Sequence, residues 1–201
     1  DITTTANMPF PATPIVQSKI AAYRCPSDLN THLSTNPNFD NYGMSNYIIS
    51  EGVISWYVGG VTDQMGKTRF SIITDGTSNT LLVGERDNKL GVGAIWPGLR
   101  KTGGALNGRA RERPNLQFLG NRGASCCGGE KPAPPDPCRR GQFSSLHSNG
   151  LNFVLCDGAV RFVSQTIETD PASSDCNGPA RSNFMYQKLF WMDDGFQVSD
   201  F

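Results

Sequence analysis

Two residues that often carry chemistry, His147 and Asp157, stand ten positions apart in the carboxyl-terminal third of the chain. The run between them is rich in apolar residues. As an extended strand it would hold them roughly 30 Å apart, at about 3.3 Å per residue. The two side chains therefore cannot form a local catalytic pair. We expect His147 to hold the loop before this strand by bonding to a nearby carbonyl or turn, because most polar groups at strand ends are satisfied locally.

The six cysteines allow disulfide formation or metal binding. A bridge from Cys126 or Cys127 to Cys138 would close a short proline-rich loop, worth about 3 kcal/mol in the chain-entropy model. The same three thiols with His147 could bind zinc, but adjacent cysteines depart from the usual Cys-x2–4-Cys spacing, so a bridge is favoured. We expect the partner of Cys25 to lie upstream of this sequence. The disulfide candidates are Cys126, Cys127, Cys138, Cys156 and Cys176.

An enzyme is not predicted. Cys156 and His147 could serve as nucleophile and base, but Cys156 falls in an apolar strand, where a thiol usually behaves as an inert small hydrophobe. The chain contains no G-x-S-x-G elbow, Walker A loop or H-E-x-x-H helix.

Three carboxylates, Asp75, Asp193 and Asp194, could donate oxygens to a calcium ion, which requires six to eight of them. All three lie in turn-type sequence, where a single carboxylate accepts backbone N–H bonds. The turn interpretation is favoured, so no cofactor is expected and calcium remains the alternative.

The length and the net charge of the chain narrow the possible classes of function. The 201 residues are enough for one domain, and 18 basic residues balance 18 acidic ones, so no net field favours nucleic acid or an anionic membrane. No apolar run approaches the ~20 residues that span a bilayer, and no signal peptide opens the chain. The cysteine usage favours an oxidising compartment, which is extracellular, cell-surface or periplasmic.

The elements predicted to position these residues are mostly strands. Short strands are expected at 47–50, 53–58, 69–74 and 81–83, and a short helix at 183–192. The segment 91–142 lacks enough apolar residues to fill a core and is interpreted as a loop insertion within a single domain, 1–201. With no alternating βαβ pattern, the fold class is α+β with an antiparallel sheet, hairpins and short helices.

The clearest predicted element is a hairpin. Leu151–Cys156 and Ala159–Val163 flank Asp157-Gly158, and a type I′ turn would place these two residues at its centre with positive φ at both. Arg161 should point to solvent or to a carboxylate. The side chains expected to cover the core are Leu151, Phe153, Leu155, Val160 and Phe162.

Three blocks of sequence closely resemble a bacterial family defined by a His-x9-Asp-Gly signature and associated with prepilin-type processing. The blocks are Phe143–His147 continuing through Gly150–Val163, Tyr23–Asp28, and Ile73–Glu85, and they follow the family order. The ending Leu189–Val198 also looks similar. The motif residues, which we interpret as structural, are His147, Asp157, Gly158, Cys25, Pro26, Asp28, Asp75, Gly76, Ser78 and Asn79.

The resemblance implies a pilin-like or pseudopilin-like protein of a type IV pilus or type II secretion system, with no established enzymatic activity. It also implies an amino-terminal helix, absent from this sequence, that would supply the only membrane contact. We therefore expect the soluble globular part of a structural assembly subunit, whose partners are other pilin-like subunits or copies of itself and not nucleic acid. The alternative is an extracellular ligand- or glycan-binding module that uses Trp56, Tyr57 and Trp96 as aromatic platforms.

Overall fold

A computed structural model of the chain describes residues 14–34, 41–52, 69–88, 94–97, 107–110, 113–115, 142–169, 183–196, 198 and 201. Within these ranges the chain forms seven strands and three short helical turns. The 3-10 helices are Ala21–Tyr23 and Phe70–Ile72, and the α-helix, α1, is Met185–Lys188. The strands are β1 (Met44–Ser45), β2 (Tyr47–Gly52), β3 (Leu81–Glu85), β4 (Ala94–Ile95), β5 (Asn107–Arg109), β6 (Gly150–Leu155) and β7 (Val160–Ser164).

The main sheet has five strands in the order β5-β2-β3-β6-β7, and β1 pairs with β4 in a separate two-stranded sheet. Every pairing is antiparallel except that of β2 with β5, which is parallel. The predicted α+β class with an antiparallel sheet is therefore confirmed, while the parallel pair was not predicted. Among the described residues, no helix is both long and apolar enough to cross a bilayer.

One face of the main sheet packs against the carboxyl-terminal aromatic residues and forms the core. Alternate side chains of β6, from Leu151 to Leu155, point into it, as the period of two in a strand requires. The ring of Phe143 lies 5.0 Å from that of Phe153 and 5.2 Å from that of Phe190. Gly84 allows this close packing, since a Cβ there would collide with both Phe143 and Phe153.

The predicted hairpin is present, but its turn differs from the type I′ prediction. The Gly158 N–H donates to the Leu155 carbonyl at 3.0 Å, which puts Cys156 and Asp157 at the central positions of the turn. Gly158 follows with a φ of +88°, whereas Asp157 is not among the residues with positive φ. Leu155 also pairs with Ala159 through its N–H, at 2.8 Å. The connection is therefore a three-residue loop in which the glycine takes the left-handed position.

The buried side of β7 was predicted wrongly. Val163 is the buried residue, while Val160 is 65% and Phe162 50% exposed. The register explains the error, because Leu151 pairs with Val163, and so Val163 shares the core face. A strand period of two then directs Val160 and Phe162 to the opposite face. Arg161 is exposed as predicted, and its guanidinium lies 5.7 Å from the centre of the Phe201 ring.

Two further elements differ from their predictions. The strand predicted at 69–74 is a 3-10 turn with Phe70 exposed, because the Ile72 and Ile73 N–H groups bond back to residues three positions earlier. The helix predicted at 183–192 is a single α-turn, α1, continued by 3-10-type bonds. The strand predicted at 53–58 lies outside the described residues.

The segment 91–142, predicted as a loop insertion, contributes strands to both sheets. It contains β4 and β5, and Ala110, which follows β5, is fully buried. These parts of the segment belong to the folded sheet and not to a loop. Most of its remaining residues lie outside the described ranges, and the single-domain interpretation stays a prediction.

Two of the six cysteines fall within the described residues, and both are free, buried thiols: Cys25 and Cys156. Cys156 was among the disulfide candidates, and the structure instead packs it against Ile73 and Met192. The candidates Cys126, Cys127, Cys138 and Cys176 lie outside the described residues, so the bridge expected in the 126–138 region stays a prediction.

Candidate functional site

The motif residues gather at the two ends of the β3–β6 pair. Because β3 and β6 are antiparallel, the residue that ends β3 lies beside the residues that precede β6. At that end the structure brings together Cys25, Glu85 and His147, which we call the Cys–Glu–His cluster. At the other end, the loop 75–80 before β3 contacts the hairpin turn after β6.

Cys25 is positioned by a network of buried polar groups. Its backbone N–H donates to Asn46 Oδ1 at 3.0 Å, and the Asp28 N–H donates to its carbonyl. One oxygen of the Asp28 carboxylate accepts bonds from the Asn46 side chain and from the Asn88 N–H, at 3.0 Å for the latter. Asp28 is therefore a structural residue that ties the 25–28 turn to the segments after β1 and β3. Pro26 lies on the surface of this turn.

Glu85 is a buried carboxylate at the carboxyl end of β3. Its Oε2 atom accepts the Asn152 backbone N–H at 2.6 Å and its Oε1 atom lies 3.1 Å from His147 Nε2. The two oxygens thus have separate roles, one bonded to β6 and the other facing the histidine. A charged group is costly to bury unless it is paired, so these contacts account for its place in the fold.

His147 belongs to the loop that enters β6. Its N–H donates to Ser145 Oγ at 3.1 Å, and that hydroxyl donates to the Gly150 carbonyl at 2.8 Å, which fixes the loop. The His147 side chain is 30% exposed, against 5% for that of Glu85, so the cluster opens to solvent on the histidine side. The predicted local bond of the His147 ring to a nearby carbonyl or turn is not what the structure has, because the ring contacts the side chains of Glu85 and Cys25. The role of the side chain in holding the loop stays a prediction.

The geometry of the cluster has one unusual feature. His147 Nε2 lies 3.5 Å from Cys25 Sγ and 3.1 Å from Glu85 Oε1, so both groups face the same ring nitrogen. One ligand atom from each of the three residues lies within 4.8 Å of the other two. Thiol, imidazole and carboxylate are the side chains that bind transition metals, and three of them converging on one point could hold such an ion.

Tyr47 is the neighbour of Glu85 on β2. Burial raises the pKa of its phenol above the ordinary value, and the nearby Cys25 and Glu85 raise it further. The phenol therefore stays neutral at physiological pH.

The second group of motif residues forms a turn assembly. Asp75 accepts the Asp194 N–H through Oδ2 at 2.8 Å and the Gly195 N–H through Oδ1 at 2.9 Å. Asn79 donates to the Asp75 carbonyl at 3.0 Å, and the Gly76 carbonyl accepts the Asn79 N–H at 3.0 Å. This geometry is typical of the turn interpretation, in which the Asp75 carboxylate holds the carboxyl-terminal segment by backbone N–H groups and not through an ion.

The hairpin turn rests on this loop. The Asp157 N–H donates to the Thr77 carbonyl at 3.1 Å, and the Cys156 N–H to the Thr80 carbonyl at 2.9 Å. The Asp157 side chain accepts the Ala159 N–H at 2.9 Å, so it holds its own turn, as predicted, and does not reach His147. Ser78 lies exposed on the same loop.

The thiol of Cys156, weighed above as a nucleophile, is far from reactive. Burial, with a further contribution from Asp157, raises its pKa to about 11. At neutral pH the group is a protonated thiol, and thiols react as nucleophiles through the thiolate.

Sequence reasoning found Cys25 and His147 but did not connect them, and it left Glu85, Asn46 and Asn152 out of the site. The one signal for Glu85 was an acidic residue two positions after the apolar run 81–83. A carboxylate in that place indicates either a solvated strand end or a buried site residue, and only tertiary contacts distinguish the two.

Comparison with known proteins gives one finding at the level of the family. A family model named SBP_bac_10, described as a protein of unknown function (DUF1559), matches residues 2–170. The chain has no significant match among curated proteins or among solved structures. Since the matched residues make up most of the 201, the chain belongs to the DUF1559 family.

Proposed function

We propose that this chain is the globular part of a pilin-like or pseudopilin-like structural subunit, which assembles with copies of itself or with similar subunits at the cell surface or in the periplasm. The proposal assigns the chain no reaction. In this proposal, a helix outside this sequence attaches the subunit to the membrane. Support for the proposal comes from the family resemblance of the three motif blocks and from the outer face of the main sheet.

An apolar row crosses the outer face of the main sheet, and this observation carries the proposal. The register aligns Ile49, Val83, Val154 and Val160 on four successive strands. The first three are half-buried and the last is largely exposed, with Phe162 exposed beside it on β7. The solvent face of an antiparallel sheet is ordinarily polar, so an apolar row that ends exposed at an edge favours contact with another molecule.

The edge itself supports assembly. In the described part of the chain, β7 pairs with β6 on one side and forms the end of the sheet on the other. A strand in this place presents unpaired N–H and C=O groups to a neighbouring chain. A second subunit bound there would pair with the edge and cover the exposed Val160 and Phe162 side chains.

The test is the self-association of variants at this edge. We expect the wild-type chain to associate reversibly in sedimentation velocity runs at rising concentration, and Phe162→Asp to remain monomeric over the same range. Phe70→Asp is the matched control, because Phe70 is 73% exposed but belongs to a 3-10 turn and not to the edge strand β7. The proposal would be contradicted by a wild-type chain that stays monomeric to millimolar concentration. It would also be contradicted if Phe70→Asp reduced self-association as much as Phe162→Asp does.

The binding-module alternative receives less support from the described residues. Trp96 is half-buried and its indole N–H donates to the Ser18 carbonyl at 2.9 Å, so it braces the amino-terminal segment. Trp56 and Tyr57 lie outside the described residues.

A further inference from the structure

We propose that Cys25, Glu85 and His147 together bind one zinc ion, with a fourth position open to solvent or to an added ligand. The inference is independent of the assembly function proposed above. It rests on three observations: the ligand set, the distances between the ligand atoms, and the contacts that hold each ligand in place.

The ligand set is suited to zinc. Zinc binds thiolate sulfur, imidazole nitrogen and carboxylate oxygen, and sites with three protein ligands keep their fourth position for water or another ligand. Cys25 and Glu85 are both buried, whereas His147 is partly exposed. The open side of the cluster is therefore at His147, where a fourth ligand has access from solvent.

The distances agree with tetrahedral coordination. With Zn–S near 2.3 Å and Zn–N and Zn–O near 2.0 Å, tetrahedral angles place sulfur about 3.5 Å from nitrogen and nitrogen about 3.3 Å from oxygen. The structure has Cys25 Sγ 3.5 Å and Glu85 Oε1 3.1 Å from His147 Nε2. These two separations are therefore close to those of a zinc site, and the third pair, the thiol and the carboxylate, lies within 4.8 Å.

The same geometry argues against a nucleophilic triad. In a Cys–His–acid relay, the thiol faces one ring nitrogen and the acid orients the imidazole through the other. Here the Cys25 sulfur and the Glu85 carboxylate face one nitrogen, Nε2. A single nitrogen cannot serve both partners of a relay, whereas convergence on one point is what a shared cation requires.

The ligands are also held by outer contacts, which metal sites need in order to orient their first ligands. Glu85 directs Oε1 at the cluster because Oε2 is bonded to the Asn152 N–H. The Cys25 backbone N–H donates to the Asn46 side chain, and the His147 backbone N–H donates to the Ser145 hydroxyl. These two bonds fix the backbone at both ligands. Each ligand comes from a different segment, so the ion would join the 25–28 turn, the end of β3 and the loop before β6.

The test uses protein made metal-free with a chelator, kept reduced, and titrated with zinc and with cobalt as a spectroscopic probe. We expect one zinc to bind per chain, a thiolate-to-cobalt charge-transfer band, and a rise in the melting temperature with zinc. Cys25→Ser, Glu85→Gln and His147→Gln should each weaken binding by more than the roughly 10–100-fold typical of losing an outer contact.

Two controls separate this site from the other buried free thiol and from the other histidine. Cys156→Ser removes a buried free thiol outside the cluster, and His32→Gln removes an exposed imidazole. Both variants should bind zinc as the wild type does. His147→Cys should retain zinc and strengthen the charge-transfer band, a result that a purely structural role of the imidazole does not predict.

X-ray absorption of the zinc-loaded wild type keeps the proposal testable even if a variant fails to fold. One sulfur and two or three nitrogen or oxygen ligands would support the site. A wild type that binds no zinc, a shell of several sulfurs, or undiminished binding by folded Cys25→Ser and His147→Gln would overturn it.

Discussion

His147 and Glu85 lie in contact, with Nε2 and Oε1 3.1 Å apart, although 62 positions separate them in the chain. The contact explains the spacing of the His-x9-Asp-Gly segment. β6 runs antiparallel to β3, so His147, before β6, meets the end of β3, and Asp157, after β6, meets the loop before β3. The ten-residue interval is therefore the length of one strand with its two flanking turns, and each end carries a different set of contacts.

We predict that the His147–Glu85 contact stabilises the metal-free fold. His147→Ala should lower the free energy of unfolding by about 1–3 kcal/mol, because it removes the partner of the Oε1 atom of the buried Glu85 carboxylate. In a double-mutant cycle with Glu85→Gln, measured by urea denaturation with a chelator present, the coupling should be about 0.5–3 kcal/mol. His32→Ala, at an exposed position, should change stability by less than about 0.5 kcal/mol. Strictly additive effects of His147→Ala and Glu85→Gln would argue against the contact.

The left-handed conformation of Gly158 gives a second prediction. Gly158→Val should cost about 1–2 kcal/mol, the penalty for an L-residue in this region. Nothing lies within 4 Å of a Cβ at this position, so the loss would come from the backbone alone. Gly158→Asn should cost clearly less, because Asn tolerates this conformation. Equal losses for Val and Asn in thermal or chemical unfolding would show that φ is not the cause.

Asp75 provides a third prediction. Asp75→Ala removes the acceptor of two backbone N–H bonds, and it should destabilise the protein by about 2 kcal/mol, in the range for bonds to charged groups. Amide hydrogen exchange at Asp194 and Gly195 should accelerate, and Asp75→Asn should have a smaller effect. A melting temperature that rises with calcium in the wild type but not in Asp75→Asn would instead support the calcium alternative.

The raised pKa of Cys156 leads to a prediction on pH. The folded thiol titrates at about 11, above its ordinary value of 9.0, so between these values the unfolded chain has lost the proton that the folded chain keeps. The stabilisation is complete below pH 9 and is lost as the pH rises towards 11. At about 1.36 kcal/mol per pKa unit the loss has an upper bound of roughly 3 kcal/mol, which solvent screening reduces. Cys156→Ala should make the decline in stability over this window shallower. An identical slope in the variant would contradict the assignment.

Local sequence determined the parts of this protein that depend on neighbouring residues. The period of two in 151–155 predicted which side chains of β6 are buried, and Asp157-Gly158 predicted a turn between two strands. It also predicted that Asp157 would bond within its own turn. These features follow from backbone geometry and side-chain alternation over a few residues, which a sequence displays directly.

Tertiary structure decided what depends on the register and on long-range pairing. A three-residue loop in place of a two-residue one set which face of β7 is buried, and so exposed Val160 and Phe162. The parallel pairing of β5 with β2 joins two segments that are distant in the chain, and no local sequence pattern predicts that they pair. The Cys–Glu–His cluster depends both on strand register and on long-range pairing. Cys25, Glu85 and His147 come from three separate segments, and only the antiparallel β3–β6 pair and the Asp28–Asn46 contacts bring their ligand atoms within a few ångströms.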